Sequence, residues 1–458
     1  MRLTPATAGA LPPEISHFSY ERDKQSAGIV HFGIGAFHRA HQAWYTDHTM
    51  DAGDRDWAIV GVSLRSAGVA RQMNPQEGLF TVNERTELGL ASRLVGAVRK
   101  VLVAETDGAA LSELLAAPET RIVSLTVTEK GYCRAPDGTL DLDLAAQGSF
   151  YPWLVAAMEA RRDKVAPGFT VLSCDNLAQN GRQLHRLISE YLRARADHLL
   201  PWFEAECRCP SSMVDRIVPA TTEEDRSALA AHLGMKDEAA VFTEAFSQWV
   251  IEDDFANGRP AWERVGAQLV RDVEPYETAK LRMLNGSHSA IAYLGLERGH
   301  IFVHQAITDP ELRPLIDRLM REEAAPTVNA GPEQDLGRYA SSLMERFANP
   351  ALNHRLEQIA MDGSQKIPQR WLETLAAQAR RGNSCPSILT AMAAWLRHMQ
   401  QRDHVADDPR APEMKRLWQE HGAKEIVQRT FGQSGLLASA WHPTPADLSF
   451  LTAALTPG

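Results

Sequence analysis

The sequence predicts a two-part chain: an α/β N-terminal half built on a parallel sheet, and an all-α C-terminal half. Three observations carry this. Short apolar runs rich in β-branched residues alternate with helical patterns through the first half. From Tyr276 onward strand signals all but vanish, and Leu, Ala, Glu and Arg recur at helical spacing. A chain of 458 residues also exceeds what one hydrophobic core comfortably serves.

The elements follow in order. Residues 27–33 (AGIVHFG) read as a buried strand, and 37–50 as the helix after it. Further strands are expected at 57–64 (WAIVGVSL), 100–104 (KVLVA), 121–127 (RIVSLTV) and 169–174 (FTVLSC). Helical patterns at 152–163 and 177–196 flank the last of these. Strands this uniformly apolar are covered on both faces, as in a parallel sheet with helices on either side. The second half is interrupted at Pro310, Pro326, Pro350, Pro368, Pro386 and Pro412, which suggests about six to eight helices.

Composition narrows the function. Hydrophobic residues are 44% and charged residues 23%, as in ordinary globular proteins. A net charge of -10 argues against a nucleic-acid or anionic-membrane surface, both of which need basic patches. No apolar run approaches the roughly 18 residues of a membrane span. The N-terminus (MRLTPATAGALPPEI) lacks the pattern of a secretory signal, so a cytoplasmic protein is expected. Cys133, Cys174, Cys207, Cys209 and Cys385 are sparse and odd in number, which fits free thiols. His41, His48, His185, His300, His304 and His354 have no ligand-like spacing with Asp or Glu, so each is expected on the surface or in the core, and no metal site is expected. Nothing demands an obligate oligomer; a monomer or weak oligomer is expected.

The first strand runs into Gly33-Ile34-Gly35-Ala36-Phe37-His38. Two glycines so spaced open a dinucleotide fingerprint: one allows a tight turn, the other lets a pyrophosphate approach the backbone. His38 stands where a third glycine is usual. A plain strand-to-helix turn would leave the same trace. Strand two ends in Arg65-Ser66 rather than the Asp or Glu that grips an NAD ribose, so an NADP phosphate can also be met there. The expected fold class is therefore an α/β N-terminal Rossmann-type dinucleotide-binding domain (1–275) plus an all-α C-terminal domain (276–458).

The segment at 276–295, YETAKLRMLNGSHSAIAYLG, holds Glu277, Lys280, Asn285 and His288. On an α-helix these four fall within an arc of roughly 140°, beside the apolar Leu281, Leu284, Ile291 and Leu294. Oxidising a secondary alcohol needs a base for the hydroxyl proton, and a desolvated lysine can serve. Asparagine amides can stabilise the alkoxide, and histidine can orient a neighbouring hydroxyl. A polar helix face at a domain interface is the competing explanation. A second amide, Asn176, follows the fifth strand at the carboxyl end, where parallel sheets hold ligands; alone it fits a helix N-cap as well.

Five motifs, FGIGAFHRAHQA (32–43), TVTEKGY (126–132), SCDNLAQNG (173–181), KLRMLNGSH (280–288) and DGSQKIPQR (362–370), give the chain a wider likeness. It resembles the mannitol dehydrogenase family of long-chain polyol-specific dehydrogenases, which includes the fructuronate reductases (D-mannonate oxidoreductases). The resemblance implies Lys280 as the catalytic base, Asn176 and Asn285 as the oxyanion hole, His288 on the same helix and Glu277 in proton transfer. It also implies a metal-free, NAD-dependent reaction, with NADP as the alternative cofactor. The expected nucleotide contacts are Phe32, Gly33, Gly35, Ala36, Phe37, Arg65, Thr128, Asn176 and Asp215. Lys280, His288, Lys366 and Arg370 are expected on the substrate, a mannitol- or arabinitol-like polyol and its ketose, with a hexuronate as the alternative. DGSQKIPQR looks more like the hexuronate or general polyol branch than the mannitol-specific one. A nucleotide sensor would have lost Lys280, Asn285 and His288. A 3-hydroxyacid dehydrogenase would carry a Gly-Gly-x-x-Gly loop where TVTEKGY stands.

Overall fold

In the computed structural model, which describes residues 1–86, 89–331, 334–400 and 407–456, the chain divides into two units, Met1–Val273 and Glu274–Gly458. The strands of the first unit are, in chain order, β1 (Ile29–Phe32), β2 (Ile59–Ser63), β3 (Phe80–Thr86), β4 (Gly89–Val95), β5 (Val98–Val103), β6 (Ile122–Leu125), β7 (Thr170–Ser173), β8 (Ser212–Asp215), β9 (Val241–Glu244), β10 (Gln248–Glu252) and β11 (Gln268–Val270). Five of them form a parallel sheet in the order β5-β2-β1-β6-β7.

The apolar runs explain that sheet. Alternate side chains point to opposite faces. Val30, Phe32, Val60, Val62, Val123 and Leu125 pack with Leu111, Leu154, Met158 and Leu184, from helices Gly108–Ala116, Tyr151–Asp163 and Asn180–Arg195. Ile29, Ile59, Val101, Ile122 and Leu172 face the other way, toward Ala43, Met50, Trp249 and Trp262. With both faces covered, the strands can be apolar throughout. The one polar side chain of β1, His31, is completely buried and is matched on both nitrogens: Nδ1 lies 2.8 Å from Ser124 Oγ and Nε2 2.8 Å from Thr126 Oγ1.

Two small sheets, β11-β10-β8 and β4-β3-β9, extend beyond the five strands expected. Their strands are short or carry polar residues at alternate positions, as in the Thr81, Asn83 and Arg85 positions of β3, so no continuous apolar run marks them. The single helix expected over 37–50 is two, Ala36–Ala40 and Gln42–Asp51, because His41 leaves helical geometry at φ -122°, ψ -93°. The helix expected from 177 begins at Asn180, after a left-handed Gln179 (φ 48°).

The second unit has no strand among its described residues and folds around Met283, Ile291, Ile316, Leu343, Trp371 and Trp395. Among the described residues its helical runs exceed the six to eight expected: 274–297, 303–308, 312–327, 336–348, 350–352, 356–360, 363–379, 386–400, 411–431, which breaks at Gly422, and 445–455. The prolines account for part of the miscount. Pro386 and Pro412 lie in first turns, where a missing N–H costs nothing. Pro368 sits inside the run 363–379, where a π turn (Pro368–Leu372) begins at the point its absent N–H breaks the α ladder.

Candidate active site

The carboxyl ends of β1, β6 and β7 bring the first set of residues together. Gly33 leaves β1 at φ 91°, a left-handed conformation, and a Cβ there would collide with the Thr126 carbonyl. Its own carbonyl accepts from Thr126 Oγ1 at 2.6 Å. Gly35 is different: a Cβ would stand in open space, with Gly33 O at 3.8 Å the nearest atom. The two glycines thus do different work, one making the turn and one keeping a surface clear. Ala36 and Phe37 follow, partly exposed. Phe32 is completely buried, and its backbone leads into the turn. The helix after the turn is five residues long, which leaves little dipole to direct at an anion.

Across the sheet, Thr128 is exposed and left-handed at φ 63°, an uncommon state for a β-branched residue. Asp175 holds it there. Its carboxylate accepts from the N–H of Val127 at 3.0 Å, the N–H of Thr128 at 3.1 Å and the hydroxyl of Tyr132 at 2.9 Å. Asn176, exposed, is the next residue. Asp175 was not among the expected site residues; its place between the end of β7 and Asn176 was the available signal. Arg65 is exposed beyond β2, close to Gly148. Asp215 ends β8 in a small sheet, buried opposite Gln248. Beside it Arg216 is enclosed, donating to Ala40 O at 2.6 Å and pairing with Glu84 at 2.5 Å.

The second unit carries the other set on one run. Glu274–Ala279 is α-helix, Lys280–Asn285 is a π turn, and Gly286–Glu297 is α-helix again. The Gly286 N–H reaches back five residues to Leu281 O. One extra residue in the turn sets every later side chain back by about 100°, so the arc holding Glu277, Lys280, Asn285 and His288 narrows to roughly 80°. All four are partly exposed, while Leu284, Ile291 and Leu294 are buried and Leu281 half-buried.

His288 lies in a basic neighbourhood. Its ring centroid is 4.8 Å from Phe347 and 5.1 Å, edge-on, from His354. The protein packed around it, and then His354, Arg370, Arg346 and Lys366, hold its pKa well below the usual histidine range, so the imidazole is neutral. His354, assigned by sequence to a bland surface or core position, is therefore part of this cluster. Arg370 donates through Nη1 to Ser289 Oγ at 2.8 Å and to Asn285 O at 3.3 Å; burial pushes its pKa down to about 10. Lys366 Nζ donates to Met361 O at 2.5 Å and Ile359 O at 3.4 Å, and burial, then Arg370, lower its pKa. Among the described residues neither cation has a carboxylate within ion-pair distance. Nor do the described residues gather three or more His, Cys, Asp or Glu side chains as a metal site, and none of their helices is long and apolar enough to cross a membrane.

A fold of this kind, with a glycine turn at the head of a parallel sheet and a lysine–amide–imidazole face in a helical unit, defines a class of nucleotide-dependent oxidoreductases. Comparison with known proteins gives the family. Residues 27–264 match the mannitol dehydrogenase Rossmann domain, and residues 272–438 the mannitol dehydrogenase C-terminal domain. D-mannonate oxidoreductase of Escherichia coli (strain K12) is 41% identical over 440 residues, covering 92% of this chain and 90% of the relative. The structure of Pseudomonas fluorescens mannitol 2-dehydrogenase, a ternary complex with NAD and D-mannitol, superimposes with a TM-score of 0.83 at 35% identity, over 99% of this chain and 96% of the other. A substrate-free D-sorbitol dehydrogenase gives 0.88 at 30% identity, over 100% of both chains. The chain belongs to the mannitol dehydrogenase family and is an oxidoreductase of that family.

Proposed function

We propose that this oxidoreductase interconverts a sugar alcohol, of the mannitol or arabinitol kind, and its ketose, with NAD as cofactor and a lysine rather than a metal ion as the group that takes up the proton. The π turn at Lys280–Asn285 supports this most, since it draws a lysine, an amide and an imidazole onto one narrow face. The residues present fit a dinucleotide: the open space over Gly35 accommodates a pyrophosphate close to the backbone. Gly33, Gly35, Ala36 and Phe37 would hold it, with Thr128 and Asp215 as further contacts and Arg65 at the ribose, where it also suits the phosphate of NADP. When bound, NAD supplies the acceptor for the hydride that leaves the carbinol carbon.

The chain's own residues do the rest. Lys280 takes the hydroxyl proton, and Glu277, three residues earlier, passes it on. The amide of Asn285 donates to the alkoxide oxygen. His288, held neutral, hydrogen-bonds a neighbouring hydroxyl. A hexuronate, the substrate class of a fructuronate reductase, is the second reading. Arg370 and Lys366 favour it, as partly exposed cations without a carboxylate at ion-pair distance among the described residues.

The test follows NADH and NADPH absorbance in EDTA-containing buffer against fructose, xylulose, fructuronate and tagaturonate, and against mannitol, arabinitol, sorbitol and mannonate in reverse. Turnover of the neutral pairs supports the polyol reading; turnover of uronates alone replaces it with the second. Lys280→Ala should lower turnover by about 100-fold or more while nucleotide binding stays intact. A variant keeping more than about a tenth of the rate excludes Lys280 as the base.

A further inference from the structure

The π turn is an exception to the α-helix around it, and the structure shows what grips it. Two consecutive carbonyls at its end, Asn285 O and Gly286 O, accept side-chain hydrogen bonds from two consecutive residues of one facing segment. Arg370 Nη1 reaches Asn285 O at 3.3 Å, and Trp371 Nε1 reaches Gly286 O at 3.0 Å. Arg370 also holds Ser289 Oγ, one turn further on, at 2.8 Å. The facing segment, Pro368–Leu372, is itself a π turn. The backbones approach closely at this point: a Cβ on Gly286 would lie 3.4 Å from Arg370 O and 3.7 Å from Trp371 Cδ1. Trp371 is completely buried, so it cannot touch a substrate.

We propose that Arg370 and Trp371 are positioning residues that clamp the Lys280–Asn285 π turn and so keep Lys280, Asn285 and His288 aligned on one face. The proposal rests on the reading that those three residues act on the substrate. Relaxation to a regular α-helix would swing Asn285 and His288 by about 100° relative to Lys280. Misplacement of reacting groups by even about 1 Å costs on the order of 100-fold in rate.

The test uses the full chain carrying Trp371→Phe, Arg370→Lys or Arg370→Met. Trp371→Phe keeps most of the ring volume and removes one donor. The expected result is a 10- to 100-fold fall in kcat, on the order that misplacement produces, with nucleotide Kd unchanged. The deuterium isotope effect from 4-deuterated NADH should rise, because chemistry becomes slower than product release. Arg370→Lys, which keeps a single donor, should recover part of what Arg370→Met loses. Independently of turnover, amide hydrogen exchange should quicken over residues 281–289 and not over 291–295. Lost carboxylate binding by Arg370 would raise KM instead, and buried Trp371 has no such role. A kcat within about twofold of wild type in both Trp371→Phe and Arg370→Met, or unchanged exchange at 281–289, overturns the clamp whatever happens to Tm. Should Trp371→Phe fail to fold, the two Arg370 variants decide. Failure of the underlying reading is distinguishable, because Lys280→Ala would then remain active.

Discussion

Gly33 and Gly35 look alike in sequence, yet the structure predicts opposite consequences for the same methyl group. Gly33→Ala places a side chain at φ 91° and drives its Cβ into the Thr126 carbonyl. A left-handed L-residue costs roughly 1–2 kcal/mol and the collision about 1–3 more, so the loss is about 2–5 kcal/mol. For a unit of this size that is a fall in Tm of about 5–15 °C. Gly35 already has φ -82° and ψ -174°, extended backbone that alanine adopts freely, and its Cβ meets open space. Gly35→Ala should therefore leave Tm within about 1 °C, while the methyl group occupies the space a pyrophosphate needs. Nucleotide affinity should fall at least tenfold, or about 1.4 kcal/mol. Thermal denaturation of the free protein and quenching of its tryptophan fluorescence by NADH separate the two effects. If Gly35→Ala binds NADH like the wild type, the turn does not hold the pyrophosphate. If Gly33→Ala keeps its Tm, the steric argument fails.

Two further predictions concern the half-buried Asp175 and the buried pair His31 and His38. Asp175→Asn keeps the shape but must turn an amide N–H toward one of three donors, so it should cost about 1–3 kcal/mol and release the left-handed Thr128. Because Asn176 follows directly, kcat should fall with Tm; a variant normal in both contradicts the bracing role. Acid should also weaken the first unit. Burial lowers the pKa of His31 to about 3 and that of His38 well below the ordinary value, so the unfolded chain takes up protons near pH 6.5 that the folded one refuses. Stability is complete above that pH and is lost as pH falls toward the folded values, about 1.4 kcal/mol per histidine between pH 7.5 and 5.5. The two rings stack with centroids 3.4 Å apart, and His38→Phe should remove one histidine's share of the slope in urea titrations across pH. An unchanged slope would show that His38 is not excluded from protonation.

The fold class was legible where one physical signal dominates. Strands buried on both faces are largely apolar, and β1, β2, β6 and β7 are written that way, their few polar residues being small hydroxyls such as Ser124 and Ser173 and the single His31, whose partners lie about 90 residues away in Ser124 and Thr126. β3 and β4 were not legible, because polar residues such as Asn83 and Arg93 interrupt the apolar run, and the fold pairs them internally, Asn83 with Thr81 and Ser92 and Arg93 with Asp47 and Asp51. The break at His41 was hidden for another reason. The His41 ring meets a residue distant in sequence, lying edge-on to Trp249 at 5.3 Å.

The candidate site shows the same division. Residue types were readable, since lysine, amide and imidazole each announce their chemistry. Their phase on the helix was not, because spacing converts to angle only if the turn is known. Regular α-geometry spreads the four residues over about 140°, wide for groups meant to meet one carbon; the π turn reduces this to about 80°. Nothing local to KLRMLN demands such a turn, and its partners come from Arg370 and Trp371, some 85 residues later. The motif DGSQKIPQR is thus tied to KLRMLNGSH by more than a shared substrate: the arginine that ends it holds the backbone carbonyl of Asn285. A substitution at Arg370 made to alter substrate choice will therefore also disturb the geometry of the proposed catalytic face, and specificity and rate should prove hard to change separately at this position.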